Sequence, residues 1–593
     1  MSDSTIVPKG YIKDYISGTI VKATPEELQA VQVFSKQLVE DYGYTKSQIQ
    51  TRPQWRVKAR PSDKKKEYPV DIAVFLDENK SSDNIRIIVE CKKKDRSDGK
   101  SQLEDYLRFS KAPFGVWYNG KEKLFLKKFE KPGRIIFEEI PNIPRNGQRI
   151  EDIGKFKRRD LKEPHNLKSV FRSVRNFLAA NTVGATRDEV LAQQLINMIF
   201  CKIYDERFTK MNDLVHFRAG INEEPSVVRK RILDLFEDVK TKYKEVIDFN
   251  DEISLDKNSV YYVVGELQNY CITDAKRDAI ADAFEVFIGP ALKGAQGQFF
   301  TPRNIVQMMV GILDPTPDDI IIDPACGSGG FLIEALKYVW TKIEKNGKNY
   351  GWSELEIEKE KQRAANKNFI GIDKDYFLSK VTKAYMAIVG DGKGGIFCED
   401  SLEKEENWKS KTRTKIKLGQ FSILLTNPPF GSKIPVKGEK KLKQFNLAYK
   451  WKRKKKAKLW EKTNNLNNRG KRGVPPQILF IERSINFLRD KGKMAIVLPD
   501  GIYGNDKLGF IRQFLMEHGK ILAIIDVPVE SFMPNTSTKT SVLFFQKTQQ
   551  PVQNEYSIFM AVAEECGHDR RGNPKLDDDI QLVANEYHKW KRT

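Results

Sequence analysis

The chain is poor in the residues that build metal centres and disulfide frameworks. Its six cysteines (Cys91, Cys201, Cys271, Cys326, Cys398, Cys566) form no C-x-x-C pair, and its five histidines stand apart from one another. That spacing argues against a zinc site and a histidine-metal nuclease motif, and it fits reduced thiols in a cytoplasmic protein. No apolar run approaches the ~18 residues a membrane helix needs. The start, Met1-Ser2-Asp3-Ser4-Thr5, lacks the apolar core of a signal peptide. The expectation is a cytoplasmic protein without membrane contact. A G-x-x-x-x-G-K-[ST] phosphate loop is also missing, so no ATP motor is expected.

Basic residues, by contrast, are in excess. The 593 residues hold 102 Lys+Arg against 80 Asp+Glu, a formal charge of +22 that points to a polyanionic partner. The charge is concentrated. Lys433 to Arg472 carries sixteen Lys/Arg and two Glu, +14 in one stretch, interleaved with Phe445, Tyr449, Trp451 and Trp460. Cations there can neutralise phosphates, and the aromatics could wedge or stack near an extruded base. The plain alternative is a solvated loop with no specific contact.

Length predicts about three or four domains. Residues 1–150 read as a small α/β unit. A helix opens at Thr24-Pro25-Glu26-Glu27 with Leu28, Val31, Phe34 and Leu38 on one face, and strands follow at Val70–Leu76 and Ile85–Val89. Residues 151–290 are helical in pattern, with a capping box at Thr186-x-x-Glu189. From 291 to 550 short apolar runs (320–322, 369–372, 423–425, 494–498, 521–525, 541–545) alternate with helical segments, the mark of a doubly wound sheet. Residues 551–593 read as a polar tail.

Two turns in that third region carry chemistry. Asp323-Pro324-Ala325-Cys326-Gly327-Ser328-Gly329-Gly330-Phe331 closes the run at 320–322. Its glycines permit positive φ and bare backbone N–H groups near a helix N-terminus. Asn427-Pro428-Pro429-Phe430 closes the run at 423–425. There the Asn427 side chain and the Pro428 carbonyl can accept both hydrogens of an exocyclic amine, whose lone pair is otherwise delocalised into its ring. The prolines remove competing donors and fix the turn. Phe430 offers a face for a base that has left its duplex.

The pairing of these turns, cofactor loop first, resembles the N6-adenine DNA methyltransferases of the type I modification subunit family over about 165–570. Gln477-Ile-Leu-Phe-Ile481, Gly492–Gly501 and Phe532–Phe545 extend the likeness. The resemblance implies a Rossmann-like, S-adenosylmethionine-dependent methyltransferase behind a helical domain. It assigns Asp323, Ala325, Gly327, Ser328, Gly329 and Gly330 to the cofactor loop. Gln298, Thr301, Pro302 and Arg303 fall at the cofactor's methionine end, Asp373 at its ribose hydroxyls and Asp400 at its adenine amine. The family more often carries Glu where Asp373 stands.

A second site is expected near the amino end. Val70-Asp71-Ile-Ala-Val and Ile87-Ile-Val-Glu90-Cys91-Lys92 place an acid on one strand and Glu-x-Lys at the close of the next. Asp71 and Glu90 can hold Mg²⁺ while Lys92 orients a water. This resembles the PD-(D/E)xK nuclease core. Gln102-x-x-x-Tyr106 resembles the extra motif of type I R-subunit amino-terminal domains. Glu27 or Glu40 is the expected further acid.

The likeness as a whole is to a type IIB restriction–modification subunit, acting on double-stranded DNA in a hetero-oligomer with a separate specificity subunit. Three alternatives stay open: a non-cutting docking or DNA-binding module at 1–150, an RNA or protein-glutamine substrate, and a catalytically silent scaffold.

Overall fold

A computed structural model describes residues 7–58, 67–94, 96, 98–132, 134–182, 188–244, 246–274, 301–390, 395–431, 434–454, 459–467, 473–533, 536–571 and 573–592. It divides into two compact units, Met1–Ala291 and Leu292–Thr593.

The first unit is built on a six-stranded sheet. In chain order its strands are β1 (Ile49–Gln50), β2 (Ile72–Phe75), β3 (Ile85–Cys91), β4 (Phe114–Tyr118), β5 (Lys123–Lys131) and β6 (Arg134–Glu139), and in space they run β6-β5-β4-β3-β2-β1. Only β3 and β4 pair in parallel. Their crossover contains α2 (Gly99–Arg108), as a parallel connection requires. Both faces are covered, so β2 is buried along its whole length and reads as an unbroken apolar run. Helix α1 (Gln32–Glu40) covers one face through Phe34 and Leu38. Leu28 departs from the expected stripe and is 48% exposed. It lies in a π-turn, Glu27–Val31, whose extra residue rotates it off the face that Val31 and Phe34 bury. Among the described residues four helices follow in the same unit: α3 (Leu167–Asn181), α4 (Asp188–Phe208), α5 (Pro225–Lys242) and α6 (Lys257–Leu267). Thr186 of the expected capping box lies outside the described residues.

The second unit centres on an eight-stranded sheet. Its elements are α7 (Arg303–Leu313), β7 (Ile321–Asp323), α8 (Gly330–Asn349), α9 (Glu354–Asn368), β8 (Phe369–Asp373), α10 (Tyr376–Gly390), β9 (Ile396–Cys398) and β10 (Phe421–Thr426). A hairpin, β11 (Tyr449–Lys454) and β12 (Leu459–Leu466), precedes α11 (Pro476–Phe487), β13 (Leu488–Pro499), α12 (Gly509–His518), β14 (Gly519–Val527), β15 (Thr540–Lys547), β16 (Phe559–Val562) and α13 (Ile580–Arg592). The strand order is β9-β8-β7-β10-β13-β15-β14-β16. All pairs are parallel except the two made by β15. The order therefore reverses between β7 and β10, which opens a crevice beyond their carboxyl ends. Residues 551–593, expected as a tail, add β16 to the sheet and α13, which buries Ile580, Val583 and Tyr587. Three apolar residues spaced three and four apart within a charged helix make too thin a stripe to announce burial.

Candidate functional site

Asp323 ends β7 and Asn427 follows β10, and the parallel register of Ile322 with Leu424 brings those ends side by side. One bond joins them: the Thr426 hydroxyl donates to Asp323 Oδ1 at 2.8 Å. Ala325 N–H donates to the same oxygen at 3.0 Å, while Asp323 Oδ2 is buried without a partner. Burial pushes the Asp323 carboxyl up to about 7, against the pull of those two bonds and with added repulsion from Asp373. A buried acceptor with nothing to accept costs free energy until a ligand donates to it.

The turn after Asp323 is held from beneath. Cys326 N–H donates to the Ile372 carbonyl at 3.0 Å, Gly327 N–H to Asp373 Oδ2 at 2.9 Å, and the Thr382 hydroxyl to the Gly327 carbonyl at 2.6 Å. Gly329 has φ +83°, and a β-carbon there would strike Thr382 Cγ2 at 2.6 Å. Gly327, at φ +50°, faces open space, so a ligand can approach its backbone closely. Ser328 is half-buried beside it, and Gly330 opens α8.

Asp373 closes β8 with both oxygens bonded, Oδ2 to Gly327 and Oδ1 to Asp375 N–H at 2.9 Å. Burial raises its carboxyl above the usual range. Asp400 lies two residues past β9. Its turn is tied to the same loop because the Ser401 hydroxyl donates to the Pro324 carbonyl at 2.5 Å. Asp373, Asp400 and the glycine turn thus border one crevice.

Asn427 is oriented by a donor bond from its Nδ2 to the Thr301 hydroxyl at 3.0 Å, which leaves Oδ1 buried and unpartnered. Pro428 is buried, and Pro429 and Phe430 are half-buried, so the aromatic ring is not core. Gly431 N–H donates to Gln477 Oε1 at 3.2 Å from the first turn of α11, which steadies the residue after Phe430. Thr301, expected at the methionine end of a cofactor, therefore also bonds the Asn427 amide. Pro302 caps α7 and Arg303 begins it. Gln298 lies outside the described residues. Thr426, Ser401, Thr382 and Gln477 were missed as contributors because their partners lie 46 to 103 residues away. No local pattern encodes such pairs.

The basic insertion corrects an expectation. Phe445 is 1% exposed and belongs to the core. Trp451 stacks on Phe510 at 5.7 Å and 19°, and Trp460 meets the same ring edge-on at 5.9 Å. These rings anchor the β11–β12 hairpin to α12, so they are not offered to an extruded base. Tyr449 is half-buried, with Lys462 over its ring at 5.1 Å. Lys450, Lys452 and Lys454 remain exposed on β11.

In the first unit Asp71 Oδ2 accepts Cys91 N–H at 2.7 Å, and Lys92 bonds Glu90. Burial, Asp71 and a neighbouring Glu26 drive the Glu90 carboxyl up to about 8. Burial raises Asp71 to about 6. Of the early acids, Glu26 lies near enough to Asp71 and Glu90 to repel both. Glu27 is engaged by Arg52 at 2.8 Å and Gln32 at 2.7 Å, and Glu40 by Lys36 at 3.6 Å and Tyr15 at 3.5 Å. Gln102 bonds the Tyr106 hydroxyl, which lies 3.4 Å from the Pro69 carbonyl. Among the described residues no group of three or more His, Cys, Asp or Glu is gathered closely enough to hold a metal.

A family model described as N-6 DNA Methylase matches residues 275–593. A second, described as Type I restriction enzyme R protein N terminus, matches residues 25–144. The chain is similar to the type I restriction enzyme EcoEI methylase subunit of Escherichia coli, at 26% identity over 63% of this chain and 62% of that one. It is similar also to the MjaVII methylase subunit of Methanocaldococcus jannaschii, at 24% identity over 68% and 64%. It thus spans less than two thirds of either relative's length. A solved chain from a study of type I R-M complex assembly shares the fold with TM-score 0.50, at 16% identity over 72% of this chain and 85% of that one.

Proposed function

This chain belongs to the N-6 DNA methylase family, and on that premise we propose that it transfers a methyl group from S-adenosylmethionine to N6 of adenine in DNA. The observation that carries this reading is the unpartnered Asn427 Oδ1, buried at the mouth of the crevice one strand away from the glycine turn. The crevice fits the cofactor: it has an unpartnered carboxylate oxygen on Asp323, backbone open to approach at Gly327, and acids at Asp373 and Asp400.

When bound, the cofactor supplies an electrophilic sulfonium methyl. The chain's own residues prepare the nucleophile. Asn427 Oδ1 and the Pro428 carbonyl accept the two amine hydrogens, which draws the nitrogen lone pair out of ring conjugation and toward the methyl. Phe430 supports the flipped base. Thr301 accepts from the Asn427 Nδ2, so in this arrangement Oδ1 is the atom left for the substrate. Asn427→Ala should abolish incorporation of tritiated methyl into adenine while leaving cofactor binding by calorimetry intact. Full activity in that variant would sink the assignment.

We further propose that Asp71, Glu90 and Lys92 cleave DNA with Mg²⁺, and that the chain works on duplex DNA in a hetero-oligomer with a separate specificity subunit. Two neighbouring carboxylates whose proton affinity burial raises, that of Glu90 further through Asp71, favour this reading over a docking module, since a bound cation would offset the repulsion at Glu90. Oxygen-only donors suit Mg²⁺, which Asp71 and Glu90 would hold while Lys92 orients a water. Asp71→Ala should remove Mg²⁺-dependent cutting and spare methylation. Cutting that survives in this variant would overturn the nuclease assignment, and no cutting by the unaltered chain with its specificity partner would leave a docking or DNA-binding module.

A further inference from the structure

The basic insertion touches the cofactor crevice as well as its surroundings. Its first arm contains a short helix, Glu439–Leu442, and the Lys441 ammonium of that helix bonds Asp400 Oδ2 and lies 3.3 Å from Glu403. The other Asp400 oxygen accepts Leu402 N–H at 2.9 Å.

Lys441 is not a loosely solvated cation. Its side chain is 18% exposed, and the arm that carries it is pinned at several points. Leu442, Phe445, Leu447 and Ala448 are buried in the core of the unit. Glu482 accepts from Asn446 N–H at 2.9 Å and Leu447 N–H at 2.8 Å. Gln444 donates to the Leu402 carbonyl at 2.8 Å. Arg483 closes the circle, donating to Gln444 Oε1 at 2.6 Å and to the Glu403 carbonyl at 3.1 Å. The arm and the 400–403 turn are therefore one bonded body, stitched through Ser401 to the cofactor loop.

We propose that Lys441 is a positioning residue for the adenine end of the cofactor, supplied by the insertion: it fixes the Asp400 carboxylate in the direction from which that carboxylate receives the cofactor's amine. The inference rests on the proposed cofactor role of Asp400. A carboxylate whose torsion is set beforehand loses less rotamer freedom when the ligand arrives. Each oxygen of a carboxylate accepts two bonds, so Asp400 can hold Lys441 and a ligand donor together.

The test is calorimetric titration of S-adenosylmethionine into the full chain without DNA, using Asp400→Asn, Lys441→Met, Lys441→Arg and the Asp400→Asn/Lys441→Met double variant. A charge-assisted bond of this kind predicts a ~10-fold weaker Kd for either single neutral variant. The double variant should be no weaker than the worse single. Lys441→Arg should restore affinity to within ~3-fold, since a guanidinium can make the same bond. Circular dichroism melting identifies any variant that has merely unfolded. If Asp400→Asn weakens binding and Lys441→Met does not, or if the two losses simply add, the inference is wrong and the site assignment stands. If Asp400→Asn leaves affinity unchanged, the cofactor role of Asp400 fails first, and the inference with it.

Discussion

Exchanging Asp323 for Asn removes a charge that burial opposes. The carboxyl moves from an ordinary 3.8 to about 7, so between those values the folded chain holds a proton that the unfolded chain has released. Stability conferred by this group is therefore lost as pH rises from about 4 to about 7, and the cost is complete above that window. Chemical denaturation across this range should show a fall in wild type that is shallower in Asp323→Asn; parallel profiles would refute the buried charge. The Asp71–Glu90 pair behaves alike, with values of about 6 and about 8. A divalent cation binds the ionised forms, so Mg²⁺ should raise the melting temperature more at pH 8 than at pH 5. Glu90→Gln should reduce that rise. Asp323, Asp71 and Glu90 were visible as sequence motifs, because a polar residue beside an apolar strand stands out. The tie from Thr301 to Asn427 was not visible, since the two are 126 residues apart.

Elements differ in what holds them. The β11–β12 hairpin is two-stranded and needs packing to persist, which Trp451 and Trp460 supply on Phe510. Trp460→Ala should cost about 2 kcal/mol in urea unfolding of this unit, below the ~3–5 kcal/mol of a fully buried ring. A ring reserved for a flipped base would instead leave stability unchanged. The carboxy-terminal helix shows the converse. Tyr587 is 4% exposed, so Tyr587→Ala should lower stability by about 3 kcal/mol. The sequence predicted the strands at 320–322, 369–372 and 423–425 because buried parallel strands read as continuous apolar runs. It missed β9 and β16, the two edge strands of the sheet, which pair on one side only.

At the scale of the whole molecule the dominant quantity is charge. A net +22 with exposed lysines on β11 predicts DNA affinity that falls steeply with salt. Replacing Lys450, Lys452 and Lys454 together by Ala should lower the slope of log K against log salt by about 2–3, by titration over a salt series; an unchanged slope would remove the hairpin from the DNA surface. Composition, strand-end motifs and charge clustering were determined by sequence alone, because each arises from neighbours along the chain. Which early acid lies near Asp71 and Glu90, what the Asn427 amide bonds, and what the aromatic rings of the insertion touch were decided only by tertiary structure. Those outcomes depend on helical phase and on bonds between residues tens to more than a hundred positions apart. Local sequence does not fix either.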